Sequence, residues 1–294
     1  MKNVIKYYYG LDAENITLKD GNYKLVIDSN NYLLCKCIRS ELLSIIKYIP
    51  NNYKFHTIVN TLNGDISITL NNSEYALLKL NMPYKKINIT DIYEFNYPVS
   101  LNNNSVNKWV SLWSNHIDYI EYQINELLNK YSLLSKYIYY YIGLSETAIE
   151  FLKTFEEINT SDFIMHKRID DNMTLVDLYN PVTLVIDSRA RDISEYYKFI
   201  FFKGNYDTED LVDQIFNSIK TFNSTELKLF LARMIYPTYF FDAYDKIIGF
   251  GNDEDIIIPL VNKAEDYEKM LVRLYNGIKK ATHIENIEWL NQLR

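Results

Sequence analysis

Lys36, the run His166-Lys167-Arg168-Ile169-Asp170-Asp171-Asn172, and Asp187 are the side chains whose types and spacing could do chemistry in this chain. The chemistry they suggest is phosphoryl transfer. That reaction needs a backbone cover over the phosphates, a Lys to hold them, a carboxylate for the metal, and a residue that takes the proton of the nucleophile. The cover is missing. Gly21 is the one glycine between Ile16 and Leu34, and glycine is what lets backbone approach a phosphate closely. Lys36 sits in an apolar run. On a strand, Leu34 and Ile38 share its face, while Leu33, Cys35 and Cys37 share the other. Two readings stay open. In one, the amine is buried against an anion, a helix Glu together with a nucleotide phosphate. In the other, Lys36 lies on an edge strand and its amine reaches solvent. The first acid downstream, Glu41, is very close in sequence for a Lys–Glu pair, and no other follows from Leu42 to Asn63.

The His166 run departs from an active loop at the decisive position. In phosphotransferases that use such a loop it reads His-Gly-Asp, with an Asn downstream that helps hold metal. Here Arg168 stands two residues after His166, and a guanidinium cannot act as a base at any ordinary pH. Met173 occupies the expected Asn position, with Asn172 beside it. Asp170 or Asp171 replaces the missing base only if the loop is rearranged. Asp187 ends the short apolar run Val185-Ile186, which is how metal-binding carboxylates are commonly presented. Spacing favours a plainer role, a turn acid paired to Arg189 or Arg191. ATP and magnesium are therefore the cofactors to test for, with Lys36 and Asp187 as their candidate contacts. Cys35 and Cys37, without a matching Cys or His pair, do not make a zinc site and read as buried structural thiols.

The elements that must position these residues fall into two regions. Ile16–Leu18, Tyr23–Ile27 and Tyr32–Ile38 read as a meander of strands separated by turn residues. A helix over Glu41–Tyr48 follows. Phe55–Leu62 and Asp65–Leu70 flank Asn63-Gly64 as a hairpin, and Tyr75–Leu80 reads as a further strand. Residues 1–82 thus form a sheet lobe and 83–107 a connector. Residues 108–294 form a helical lobe, with short strand-like runs at Thr174–Leu178 and Thr183–Ile186. Its first helix is marked by Val106, Trp109, Val110, Trp113, Ile117, Ile120, Ile124 and Leu127, spaced by threes and fours. Further helices are expected over Tyr137–Lys153, Asp192–Phe202, Thr208–Phe222, Thr225–Tyr236 and Ala264–Lys280. The fold class is α+β: a bilobal, kinase-like layout with a small antiparallel sheet and a mainly helical C-terminal lobe.

Composition bounds the partners. With 31 Lys and Arg against 38 Asp and Glu, a net charge of −7, the chain lacks the cationic surplus that nucleic acid requires. No apolar leader and no 18-residue apolar stretch is visible, so synthesis in the cytoplasm with no membrane span is expected. Two cysteines one residue apart cannot staple a fold and point to a reducing compartment.

Val185-Ile186-Asp187-Ser188-Arg189-Ala190-Arg191-Asp192-Ile193-Ser194-Glu195-Tyr196 resembles the "IDH-x-SRDLAEW" segment of the YutH-type spore-coat proteins, relatives of CotS in the kinase-like superfamily. Tyr7–Leu11 resembles their start, Trp109–Trp113 with Ile117–Gln123 their long helix, and Tyr140–Ile149 their "YYLGLxENAI" helix. His166-Lys167-Arg168 resembles "CHxR", and Ala232–Pro237 with Tyr239-Phe240 resembles "ARLLFPxHYF", all in the same order. The resemblance implies a catalytically degenerate kinase-like protein associated with the spore coat and acting by binding protein partners. It also accounts for Arg168, since that branch too carries Arg in place of the Asp. The alternative is an active ATP-dependent phosphotransferase with a rearranged loop.

Overall fold

In the computed structural model, which describes residues 1–19, 21–101, 105–127, 129–155, 161–170, 172–204 and 206–292, turn chemistry sets the first sheet. The expected meander is present as β1 (Asn15–Lys19), β2 (Asn22–Ile27) and β3 (Asn30–Cys37). Asp28 and Ser29, at φ 47° and 62°, make the two-residue turn from β2 to β3. Asn71 and Asn72, at φ 47° and 60°, do the same between β5 (Ile68–Leu70) and β6 (Ser73–Lys79). Short polar side chains tolerate this left-handed region and match the twist of a hairpin. The sheet runs β1-β2-β3-β6-β4, with β4 (Thr57–Val59) and β5 both antiparallel to β6.

Asn63-Gly64 does not join a hairpin, contrary to expectation. Thr57 to Val59 pair with Lys79 to Leu77, and Ile68 to Leu70 pair with Tyr75 to Ser73. The two short strands therefore lie in line along one edge of β6 and not against each other. Gly64, at φ 84°, still turns the chain locally, where the Thr61 carbonyl accepts from its N–H at 2.9 Å.

Two compact units divide the chain: residues Met1–Val99 with Ile164–Ile186, and Ser100–Phe163 with Asp187–Arg294. In the first, one sheet face packs under α1 (Lys2–Tyr9), whose Ile5 and Tyr9 join Leu25, Ile27, Leu34 and Leu77. No element is expected before Ile16, although Ile5 and Tyr9 stand one helical turn apart. The other face carries Leu33, Cys35 and Leu78, and Val176 packs on them. This contact explains why 164–186, expected within the helical lobe, belongs to the first unit. Thr174–Leu178 is also not a strand. It is α6 (Leu175–Leu178), opened by a capping box in which Thr174 N–H and Oγ1–H donate to Asp177 Oδ2 at 2.8 and 2.7 Å. The expected connector holds α3 (Ile89–Glu94) and the two-residue β7 (Pro98–Val99). β7 belongs to a second sheet, ordered β7-β8-β9, with β8 (Asp162–His166) and β9 (Leu184–Asp187). α2 (Arg39–Ile46) follows β3 as expected.

His56 ties the same unit together. Its Nε2 meets the Val176 carbonyl at 2.9 Å, and its Nδ1 accepts from Asn81 N–H at 3.1 Å, which requires the neutral ring with its proton on Nε2. Burial pulls its pKa from 6.5 down to about 4, against smaller opposing pulls from Val176 and Asp177. The folded state therefore resists a proton that the unfolded chain accepts. Stability from this group is complete above pH 6.5 and is lost as pH falls towards 4, about 3 kcal/mol in all. Denaturant unfolding at pH 7.5 and pH 4 should show that loss, and His56→Gln should flatten it.

The second unit is built from α4 (Ser105–Leu127), α5 (Ser132–Lys153), α7 (Ala190–Lys203), α8 (Thr208–Ile219), α9 (Ser224–Ile235), α10 (Thr238–Phe250), α11 (Ile258–Asn262), α12 (Ala264–Ala281) and α13 (Glu288–Gln292). Of the stripe on α4, Val106, Trp109, Trp113, Ile117, Ile120 and Ile124 are buried and Val110 is half-buried, while the Leu127 side chain lies outside the described residues. α9 is central, packing on α5, α7 and α12, and Leu229 to Ile235 are buried without a break. Asn223 caps it in a box with Glu226, and Pro237 follows its end.

Candidate functional site

Asp187, at the end of β9, is fully buried in the second unit. The buried stripe of α4 brings Trp109 to it, and the indole Nε1–H donates to both carboxylate oxygens at 3.0 Å. The Ser188 N–H donates to Oδ1 at 2.8 Å, and Arg191, four residues on in the first turn of α7, donates Nη1–H to Oδ2 at 2.7 Å. Burial pushes the carboxyl pKa up, but Arg191, Arg233, the Trp109 indole and Lys108 together outweigh it and hold the group below its ordinary value. Of the two arginines that spacing offered, Arg191 is the partner. Arg189 instead pairs with Glu226, through Nε at 2.7 Å and Nη2 at 2.7 Å.

Arg233 completes this cluster from α9. Its guanidinium stacks over Trp109, 4.8 Å from the ring centre, and its Nε–H donates to Glu195 Oε1 at 2.8 Å. Trp109 in turn stacks on Trp113, and Trp113 on Tyr236 at 4.2 Å. Sequence reasoning missed both Trp109 and Arg233. A signal existed for each: a buried indole N–H must find an acceptor, and a cation inside the apolar run of α9 must find an anion.

As arranged, Asp187 does not suit magnesium. Its acceptor directions are taken by N–H donors, and its near neighbours are cations. Among the described residues, no group of three or more His, Cys, Asp or Glu is placed to hold a metal ion.

The remaining candidates lie in the first unit. Lys36 is exposed, although β3 is an inner strand. The reason is local: β2 begins at Asn22, so its ladder with β3 stops short of Lys36, whose N–H turns to Asn22 Oδ1 at 3.3 Å. Glu41 does not reach Lys36. Its Oε2 accepts from Lys167 Nζ at 2.7 Å, a half-exposed pair of small energetic weight. His166 is buried, its Nε2 2.8 Å from the Leu178 carbonyl and its ring 4.5 Å from that of Phe95, so it anchors its loop within the core. Arg168 and Asp170 are exposed, and Asp170 Oδ1 accepts the Asn172 N–H at 2.8 Å. Asp171 lies outside the described residues. Met173 is buried. Burial also raises the Cys35 thiol to about 12 and the Cys37 thiol to about 11, so both stay protonated and inert.

Comparison with known proteins decides the lineage. The profile of the family described as "Spore coat putative kinase YutH" matches residues 2–273. The chain belongs to the YutH spore-coat family. "Endospore coat-associated protein YutH" of Bacillus subtilis (strain 168) is 21% identical over 99% of this chain and 98% of its own. The crystal structure of an aminoglycoside phosphotransferase from Alicyclobacillus acidocaldarius matches with a TM-score of 0.58 at 12% identity, covering 92% of this chain and 94% of that one. This YutH-family chain therefore has the kinase-like fold, with an antiparallel-sheet N-terminal lobe and a mostly helical C-terminal lobe. Among its described residues, no helix is long and apolar enough to cross a membrane.

Proposed function

We propose that this YutH-family chain is a kinase-like protein that does not transfer phosphate and acts by binding protein partners, in association with the spore coat. The observation that carries the reading is the state of Asp187. The carboxylate at the end of the β9 strand is buried and spent on Trp109, Ser188 and Arg191. Arg168 adds to it, since a permanent cation stands where a base is needed. The coat association rests on the likeness to the endospore coat-associated protein YutH of Bacillus subtilis.

The test has two parts. Incubation with labelled ATP, magnesium and a panel of amino-sugar, choline-like and protein acceptors should leave every acceptor unlabelled. Mg-ATP in large excess should leave the thermal midpoint unchanged, whereas a bound ligand at roughly a hundred times its Kd stabilises by about 2.7 kcal/mol. Stabilisation without turnover would make the protein a nucleotide sensor. Transfer that disappears in Asp170→Asn would establish an active enzyme with a displaced base.

A further inference from the structure

We propose that the second unit binds a tetrahedral oxyanion of the phosphate class on the guanidinium of Arg233, with that of Arg191 beside it. Arg233 is 5% exposed and lies within the buried run of α9. Its Nε–H is used by Glu195, and one face of its plane is covered by Trp109. Neither Nη1 nor Nη2 donates to any described residue, and neither is sealed away from the surface. A buried guanidinium thus presents four N–H donors, on two adjacent nitrogens, with no acceptor among the described residues. That planar fork matches two oxygens of one phosphate group.

The electrostatics favour an anion at the same place. Arg191 pushes the Arg233 pKa down while Glu195 and Asp187 push it up, so the two guanidiniums repel each other there. Asp187 holds Nη1 of Arg191 at 2.7 Å, and Glu195 holds Arg233 by its Nε edge, so both arginines are positioned before any ligand arrives. A doubly charged oxyanion relieves the repulsion and satisfies the fork. A monovalent halide relieves it less and cannot engage two donors in parallel. The site lies in the second unit alone and does not depend on nucleotide binding.

Calorimetric titration of the full chain with inorganic phosphate, and separately with phenyl phosphate, at an ionic strength fixed with chloride, tests this. Saturable binding to one site is expected. Binding of both probes identifies the phosphate group as what is read, and binding of inorganic phosphate alone identifies the free ion. Arg233→Lys keeps the charge and the packed stem but removes the fork, and should weaken binding by roughly tenfold or more. If that variant fails to fold, tryptophan emission of the wild-type chain decides the matter. Trp109 lies beneath the fork, so phosphate should change the emission saturably while equal ionic strength of chloride does not. The proposal is overturned by an absence of saturable binding up to about 20 mM, where even a millimolar Kd is visible. It is equally overturned by undiminished affinity in folded Arg233→Lys, or by an identical response to chloride.

Discussion

Asp187→Asn should destabilise the fold by about 3–5 kcal/mol, the range for removing one partner of a buried ion pair. Asn keeps the shape and can still accept the Trp109 indole N–H through its one carbonyl oxygen. It cannot balance Arg191, which is itself nearly buried at 13% side-chain exposure, nor the nearby charges of Arg233 and Lys108. The sign distinguishes two roles for this carboxylate. A metal-holding acid facing an open cleft is commonly a burden on the fold, and its neutralisation costs little or even stabilises. An acid buried beneath Trp109 and Arg191 is a keystone, and its neutralisation costs several kcal/mol. Denaturant midpoints of the wild type and Asp187→Asn, compared at equal m-value, decide between them. The acid limb should follow. Because the folded pKa lies below the ordinary carboxylate value, this contribution is present above that value and is lost as pH falls through the folded one. Asp187→Asn should therefore lose less stability than the wild type on acidification below about pH 4. One consequence bears on enzymology: loss of activity in an Asp187 variant means nothing until the variant is shown to be folded.

What the chain discloses in its sequence is what neighbours in sequence decide. β1 to β3 are legible because turn residues punctuate them and their apolar residues alternate. α4 is legible because its apolar residues recur by threes and fours, and the start of α9 because Asn223 and Glu226 stand at capping-box spacing. Helices α1 and α6 escape the local reading, and the remaining failures are partner choices over distance. β4 and β5 each look ready to pair across Asn63-Gly64, yet each instead pairs three residues with β6, β4 beside the buried Leu77 and Leu78 and β5 beside Ser73 to Tyr75. Glu41 looks for Lys36 and is taken by Lys167, 126 residues away. Asp187 and Trp109 are 78 residues apart, and no local pattern links them. Lys36 shows a subtler limit. Its flanking residues are apolar on both faces, but whether a strand position is covered depends on where the neighbouring strand begins.

Lys198→Met should cost a similar amount, about 3–5 kcal/mol, although it preserves the length of the side chain. Lys198 is 1% exposed, and its Nζ has four acceptors for three protons: Glu195 Oε1 at 2.8 Å, the Arg233 carbonyl at 2.9 Å, the Tyr236 carbonyl at 3.2 Å and Thr238 Oγ1 at 2.6 Å. The Arg233 carbonyl lies in the last turn of α9, where Pro237 supplies no N–H, and the Tyr236 carbonyl at its C-cap also accepts the Thr238 N–H at 3.0 Å. Burial pulls the amine pKa down to about 8, with Glu195 the main counterweight, so the group is charged at neutral pH. Glu195 is held at about 2, where burial pushes it up but Lys198 and Arg233 prevail. Methionine leaves the Arg233 carbonyl without the Lys198 donor, the Tyr236 carbonyl with the Thr238 N–H at 3.0 Å, and Glu195 with Arg233 as its remaining cation. Adding Glu195→Gln removes the stranded charge while an amide oxygen still faces Arg233. The double variant should therefore lose less stability than the two single losses added together, with a coupling of about 1–3 kcal/mol. Strict additivity in that cycle would mean that Lys198 works on the helix end alone. Coupling would mean that the corner joining α7, α9 and α10 is one electrostatic unit, with the fork of Arg233 held in place by it.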